Sequence, residues 1–477
     1  MDSANLGKKL SKIVQGIVLW DNDSRNFYSV DASAYRLRPS VIVIPKNESD
    51  ISKIVQFASK NHIPITPRGA GTGLVGGALG SGIILDMKNL DSIKVSSGYV
   101  QAGAGALMGQ VDSVLEKNLR FLGPNPSSGA YCTIGGMIAS NASGSRSLKY
   151  GGTIDNLIQV RLVTYSGKIL TLPDGIKIKS KIPGFAKKRF PQVTKNSCGY
   201  RIDTIKTDKD IHKILAGSEG TLGIITSAKL KTYPIPRQVL LCILHYKTIM
   251  DAARDVPILV NLKPSAVELV DSNIARHMKI KTTKTGCFLL VEFDDNINDN
   301  KNKLRKFSSG KILTMTSDKN QIQKLWGFRN SALSYSFKSI SGDKIMPSLV
   351  EDATVPVRRL PLLLKLLEII SKKYHIKMII YGHAGNGNLH VRPILSKKNL
   401  PVVKKIANEF FTGVIGIGGS ITGEHGDGLA RSEFVRMQYG DQVYSVFKKI
   451  KKEFDPKNIF NPGKVISKGS TVTRNLK

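Results

Sequence analysis

Cysteine, tryptophan and acidic residues are scarce in this chain. Its 477 residues include four cysteines, two tryptophans and 36 aspartates and glutamates, against 71 lysines and arginines. The cysteines (Cys132, Cys198, Cys242 and Cys287) are scattered and form no C-x-x-C pair. That pattern argues against an iron–sulfur cluster or a zinc ribbon built from this chain, and it fits reduced thiols in a cytoplasm. No run of about 18 uninterrupted apolar residues occurs, so no membrane-spanning helix is expected. The opening Met1-Asp-Ser-Ala-Asn-Leu-Gly-Lys-Lys lacks an apolar signal core. The shortage of acids leaves a net charge of +35. Such a charge suits an anionic membrane surface, nucleic acid or anionic substrates, or it reflects a lysine bias of the whole proteome. The lysines are dispersed and no basic–aromatic motif is present, so nucleic acid is not the expected partner. The expected location is cytoplasmic, and the charge allows peripheral contact at the inner face of the cell membrane.

Glycine, by contrast, is abundant and concentrated. Thr66-Pro-Arg-Gly-Ala-Gly-Thr-Gly-Leu-Val-Gly-Gly-Ala-Leu-Gly80 holds six glycines in fifteen residues. Glycine costs a fold conformational entropy, and close approach of backbone to a ligand is a reason to accept that cost. Successive N–H groups then form a nest for an anion, most often phosphate. Arg68 at the entrance adds forked donors that suit a pyrophosphate. Gly71-x-Gly73-x-x-Gly76 matches the dinucleotide fingerprint, but that fingerprint needs a helix to open on the glycines. Here Gly77-Ala-Leu-Gly-Ser-Gly82 prolongs the loop and Ile83-Ile-Leu-Asp-Met reads as a strand. The segment therefore reads as a phosphate loop between strands. Around it the patterning predicts a buried strand at Val41-Ile-Val-Ile, a helix capped by Asn47 or Ser49, a strand from Tyr99, a helix from Met108 to Lys117, and a hairpin over Val160 to Leu170.

Pro67-Arg-Gly-Ala-Gly-Thr-Gly73 resembles the pyrophosphate loop of the FAD-binding fold shared by vanillyl-alcohol oxidase and the flavin-linked D-2-hydroxyacid dehydrogenases. Two further segments resemble that family in the same order. Gly123-Pro-Asn-Pro-Ser-Ser, with the small-residue stretch Thr133 to Gly144 and its continuation to Asn156, resembles the segment lining the isoalloxazine ring and pyrophosphate. On its own residues a close helix-packing seam is the alternative reading. Leu215-Ala-Gly-Ser-Glu-Gly-Thr-Leu-Gly-Ile-Ile-Thr226 resembles a cofactor-binding loop running into a strand. The resemblance implies an α+β fold. A two-lobed vanillyl-alcohol-oxidase-type FAD-binding domain would span residues 1–235 and an α+β substrate (cap) domain residues 236–430. A C-terminal helix and segment, 431–477, would return to the FAD domain. The FAD-contacting residues it implies in the first loop are Pro67, Arg68, Gly69, Ala70, Gly71, Thr72, Gly73, Gly76 and Gly77. The second segment would contribute Pro126, Ser127, Thr133, Gly135, Gly136, Ser140, Asn141, Ser143 and Tyr150. The third would contribute Glu219, Gly220, Gly223, Ile224 and Ile225, and the closing motif Asp455-Pro-Lys-Asn-Ile-Phe-Asn461 would add Asn461. Several relatives attach FAD through a histidine of the first loop. No histidine lies between His62 and His212, so dissociable FAD is expected.

Three stretches read as surface or tail. Ile176 to Ser197 carries seven Lys or Arg and no acid and reads as a solvated insertion, the best candidate for contact with an anionic surface. Asn296 to Ser317 reads as a polar surface excursion. Tyr444 to Phe454 reads as a basic amphipathic helix, and the last dozen residues as disordered.

Two further stretches carry reactive groups: Tyr381-Gly-His383-Ala-Gly-Asn-Gly-Asn-Leu-His390, and Gly419-Ser-Ile-Thr-Gly-Glu424-His425-Gly-Asp-Gly-Leu-Ala-Arg431. Imidazoles and a carboxylate set among glycines suit a divalent metal such as zinc, with positions left open for substrate. These stretches resemble the C-terminal domain of FAD-linked D-lactate, D-2-hydroxyglutarate and glycolate dehydrogenases. The resemblance implies His383, His390 and Glu424 as metal ligands and His425 as catalytic base. It also implies Arg329, in Leu325-Trp-Gly-Phe-Arg, as the grip on the substrate carboxylate. Asn386 and Asp427 depart from the pattern, since many relatives carry Asp and Ile there. The implied activity is oxidation of a D-2-hydroxy acid, D-lactate or glycolate foremost, by hydride transfer from Cα to flavin N5. A quinone, a cytochrome or an iron–sulfur partner protein would accept the electrons. With the last, the chain would be the FAD subunit of a glycolate or lactate oxidase complex. A non-enzymatic basic nucleic-acid-binding flavoprotein and a redox-neutral alkylglycerone-phosphate synthase are the readings from other classes.

Overall fold

The computed structural model describes residues 2–174, 178, 182–277, 286–338, 340, 342–396, 400–467, 469 and 475–476. Three sheets organise it. The first has the order Ile17–Leu19, Val41–Ile44, Ile83–Asp86, Ile65–Arg68, and its last three strands are parallel. Every residue of Val41–Ile44 and of Ile83–Asp86 is buried. Continuous apolar sequence is what a parallel strand covered on both faces requires. The helix Glu48–Asn61 begins on Asn47, whose side chain accepts the Asp50 N–H, so Asn47 rather than Ser49 is the cap. The glycine loop joins Arg68 to Ile83 with no helix between them.

The second sheet is built on the long strand Ile224–Pro234, which pairs antiparallel with Tyr99–Gly103, Leu157–Val163 and Arg120–Leu122. Ile93–Ser96 and Ile169–Leu172 complete it. The helix Met108–Lys117 has the expected bounds.

The third sheet is antiparallel and forms the second lobe, in the order Lys311–Thr316, Leu240–Tyr246, Cys287–Phe293, Ala266–Asp271, Lys377–His383, Asn388–Ser396, Lys344–Ile345. The short strand Ala353–Thr354 also pairs with Asn388–Ser396. Helices Ile249–Asn261, Leu360–Lys373 and Leu400–Gly416 pack together beside this sheet. One apolar cluster runs from Leu6 to Val465 through both lobes.

Two surface expectations are corrected. Asn296 to Ser317 holds the helix Ile297–Phe307, with Leu304 fully buried, and the edge strand Lys311–Thr316. Its polarity is that of a sheet edge with one wet face, not of an excursion. Ile176 to Ser197 lies partly outside the described residues (176, 177 and 179–181), but its end is core: Lys195, Asn196 and Ser197 are all buried. The terminal helix Val435–Phe454 turns sharply at Gly440 (φ 75°, ψ 170°), a conformation glycine adopts without strain. The closing motif returns to the first sheet, where the Ile65 N–H donates to Ile459 and the Asn461 N–H donates to Ile65. Residues 468, 470–474 and 477 lie outside the described residues, while Leu476 bridges to Tyr35. Among the described residues no helix is long and apolar enough to cross a membrane.

Candidate active site

Sheet register brings the two histidine strands into one site. Tyr381 pairs with His390 and His383 with Asn388. Side chains two residues apart on a strand share a face, so His383 and His390 point the same way. The next strand pairs Leu269 with Gly382, which sets Glu268 level with His383. On the other side, the pairing of Ala353 with Leu389 delivers the preceding Glu351 and Asp352. Asp352 then shapes the reactive loop. Its Oδ2 accepts the N–H groups of Gly423, Glu424 and His425 at 3.0, 2.9 and 2.9 Å.

The three predicted metal ligands converge. His383 Nε2 lies 2.7 Å from Glu424 Oε1, and His390 Nε2 lies 3.4 Å from His383 Nε2 and 3.3 Å from Glu424 Oε1. Behind His383, Nδ1 is 2.7 Å from Glu268 Oε1, so Nε2 is the nitrogen turned to the site. A carboxylate behind a ligating imidazole fixes its tautomer and raises its basicity. Burial pushes His390 down to about 4, leaving the neutral imidazole that a cation requires. Glu424 stays ionised despite burial, because His383 and Lys195 hold its pKa well below the usual carboxylate value. Two nitrogens and one oxygen, mutually in reach and with ordered outer partners, fit a divalent cation. A looser set, Asp352, His390, Glu424 and His425, also offers one donor each within 4.8 Å. The set containing His383 is the tighter of the two, its three donor atoms lying within 3.4 Å of one another.

His425 stands beside these ligands. Its ring stacks on His390 at 4.9 Å between centroids, with 9° between the planes. Its Nδ1 lies 2.7 Å from Glu351 Oε1. Burial alone would lower its pKa, but Glu351 and Asp352 outweigh burial and raise it to about 9. Glu351 is itself held by Arg392 at 2.9 Å and Arg431 at 3.2 Å.

Arg329 sits one step behind the site. Its Nε donates to Glu268 Oε2 at 2.7 Å, and Nη2 lies 2.5 Å from the same oxygen. Burial disfavours a charged Glu268, but Arg329 and then His383 hold it down to about 2. Arg329 therefore meets a carboxylate of the protein and, through it, His383.

A cleft partly open to solvent joins the glycine loops to this site. Of the predicted FAD residues, Pro67, Arg68, Gly69, Ala70, Gly71, Thr72, Gly73, Gly77, Pro126, Ser127, Thr133, Gly135, Gly136, Ser140, Ser143, Glu219, Gly220, Gly223 and Ile225 line it, together with Leu333, Glu424 and His425. Among the described residues no protein acceptor takes the N–H groups of Gly69 to Val75, which leaves the nest that a pyrophosphate needs. Arg68 is not a free fork. Its Nη2 donates to the Val30 carbonyl at 2.9 Å and its guanidinium stacks on Tyr28. A Cβ at Gly71 (φ 72°) would lie 2.5 Å from that Nη2, so only glycine serves there.

The remaining predicted FAD residues do not line the cleft. Gly76 packs against Leu429. Asn141 bonds Asn196 and Ile154, the Tyr150 hydroxyl donates to Asp294, and Ile224 is fully buried at the start of its strand. Asn461 ties two loops together, donating to the carbonyls of Gly77 (2.9 Å) and Glu219 (2.7 Å). Glu219 in turn accepts the N–H groups of Asp427 and Gly428, which locks the FAD loops to the His425 loop.

Four contributors were missed from sequence: Glu268, Glu351, Asp352 and Lys195. The first three had a signal, an acid embedded in an apolar strand, in Ala266-Val-Glu-Leu-Val and Leu349-Val-Glu-Asp-Ala.

Comparison with known proteins agrees with this arrangement. Residues 39–173 match the model of an FAD binding domain, and residues 235–465 match that of the C-terminal domain of FAD linked oxidases. The chain is 31% identical to glycolate oxidase subunit GlcD of Bacillus subtilis, over 94% of this chain and 93% of that protein. It is 27% identical to a D-lactate dehydrogenase of Anaerostipes hadrus, over 95% of each. With a D-2-hydroxyglutarate dehydrogenase of Escherichia coli it shares 29% identity over 92% of this chain and 49% of that protein. A solved structure of alkyldihydroxyacetonephosphate synthase superposes with a TM-score of 0.69 at 20% identity, covering 95% of this chain and 85% of that one. That likeness speaks to the fold alone, a vanillyl-alcohol-oxidase-type FAD-binding domain with an α+β cap. The FAD nest, the histidine–carboxylate site beside it and the near full-length likeness lead to one assignment: the chain belongs to the FAD-linked D-2-hydroxyacid dehydrogenase and glycolate oxidase family and is an FAD-dependent oxidoreductase.

Proposed function

We propose that the protein oxidises a D-2-hydroxy acid, D-lactate or glycolate foremost, to the 2-oxo acid. His425 is the base, and His383, His390 and Glu424 hold a divalent metal such as zinc. The observation that carries this reading is His425: its Nδ1 is tied to Glu351 while its ring lines the cleft shared with the glycine loops. FAD, when bound, supplies at N5 the acceptor for the hydride leaving Cα. A divalent metal on the three ligands supplies a Lewis acid that lowers the pKa of the substrate hydroxyl.

The chain's own residues do the rest. His425 acts in its neutral form, which prevails only above its raised pKa unless a cation on the neighbouring ligands lowers that pKa. The neutral ring receives the hydroxyl proton at Nε2, and Glu351 fixes the ring and balances the imidazolium that forms. Glu268 and Asp352 orient His383 and the Glu424–His425 loop. Arg329 acts through Glu268. Leu333 gives the cleft an apolar wall, which suits a short aliphatic side chain on the substrate.

FAD is held without a covalent bond. His425 is the one histidine lining the cleft among the described residues, and the other nucleophile there, Cys132, is pushed up to about 11 by burial. A quinone, a cytochrome or an iron–sulfur partner takes the electrons. The likeness to an oxidase subunit favours the partner as a second reading. Iron co-purifying with the native protein on gel filtration would support it, and iron-free active protein would remove it.

The test is anaerobic mixing with D-lactate, L-lactate, glycolate and D-2-hydroxyglutarate while flavin absorbance is followed. Bleaching by glycolate or by a D-acid is expected. Flavin bleached by none of them would overturn the assignment.

A further inference from the structure

Glu424 is held from two sides. Its Oε1 faces the histidines, while Oε2 accepts three bonds: from Lys195 Nζ at 2.9 Å, Ser143 Oγ at 2.6 Å and the Gly144 N–H at 2.8 Å. All three donors come from the FAD lobe or the loop packed on it, and Ser143 also lines the FAD cleft. Lys195 is almost completely enclosed, its side chain 1% exposed. A lysine is rarely buried without a dedicated task, because removing its charge from water is costly. A merely structural carboxylate would already be satisfied by the hydroxyl and the amide. Lys195 adds something they do not, an ion-pair partner 2.9 Å from the oxygen turned away from the histidines.

We propose that Lys195 is a positioning residue that tunes Glu424. With Ser143 and Gly144 it pins Oε2, so that Oε1 alone is presented to a cation, and it draws negative charge away from the carboxylate. Glu424 then binds a divalent cation more weakly than a free carboxylate would, and leaves that cation a stronger Lewis acid toward the substrate hydroxyl. The arrangement also ties the metal ligand to the lobe that holds the flavin. This inference rests on the metal reading proposed above.

The two effects have opposite signs, and that makes the test decisive. Purified flavoprotein, with Lys195→Met, Lys195→Arg and Ser143→Ala variants, is titrated with zinc against a competing chelator. Each is then reduced anaerobically with D-lactate. Lys195→Met should bind zinc at least about tenfold tighter, because like charges repel strongly at buried sites, yet its flavin should be reduced at least about tenfold more slowly. Lys195→Arg keeps the charge and should return both values toward wild type. Ser143→Ala removes a neutral donor and should shift zinc binding the same way by a few-fold, which keeps the idea testable if Lys195→Met does not fold. Zinc affinity unchanged in Lys195→Met, or affinity and reduction rate falling together, would overturn the proposal. Wild-type protein that binds no zinc would instead sink the metal reading on which it stands.

Discussion

His425 Nδ1 lies 2.7 Å from Glu351 Oε1, and this contact decides which ring nitrogen is left for substrate. Glu351→Gln preserves shape but removes the charge that holds the ring and supports an imidazolium. Flavin should stay bound, and its reduction by substrate should slow on the order of 10²-fold or more. His425→Ala should keep the yellow colour and lose reduction altogether. Stopped-flow absorbance on both variants checks this, and normal reduction in His425→Ala would place the base elsewhere.

Arg329 and Glu268 form a buried ion pair that also sets the His383 ring. Breaking such a pair by removing one partner costs about 3–5 kcal/mol, because the other charge is stranded. Arg329→Ala should therefore lower the melting temperature and weaken metal retention as well as raise KM. A variant with wild-type melting, metal content and kinetics would show that the pair does not support the site.

Chelation should separate the two centres. The FAD nest at Gly69 to Val75 and the His383–His390–Glu424 site share a cleft but no ligand. Treatment with a strong chelator should abolish flavin reduction by D-acids while the protein stays yellow, and added zinc should restore reduction. Reduction that survives chelation would keep the dehydrogenase and remove the metal.

Denaturation should release the cofactor. Acid or guanidinium precipitation should leave FAD in the supernatant, measured by its absorbance, since the cleft's histidine is engaged by Glu351 and its cysteine is a buried thiol. Flavin remaining with the pellet would demonstrate a covalent link.

Much of this protein was determined by local sequence. Gly71 must be glycine because its φ is positive and Arg68 fills the space a side chain would take, so the loop announced itself by composition. His383, His390, Glu424 and His425 lie in short glycine-flanked runs, whereas the shared face of the two histidines comes from the antiparallel register of their two strands. The helix Met108–Lys117 and the strand Val41–Ile44 follow from spacing alone. What the sequence left undetermined are pairings between charged residues far apart in the chain. Lys195 meets Glu424 across 229 positions and His383 meets Glu268 across 115. Arg329 and Arg68 read as cations for ligand, and in the fold Arg329 also pairs with Glu268 and Arg68 also bonds the Val30 carbonyl. Long-range charge pairing depends on strand register and lobe packing. Lys195 shows the reason most plainly: in a run of basic residues it looked solvated, and only the fold removes it from water and places it on a carboxylate.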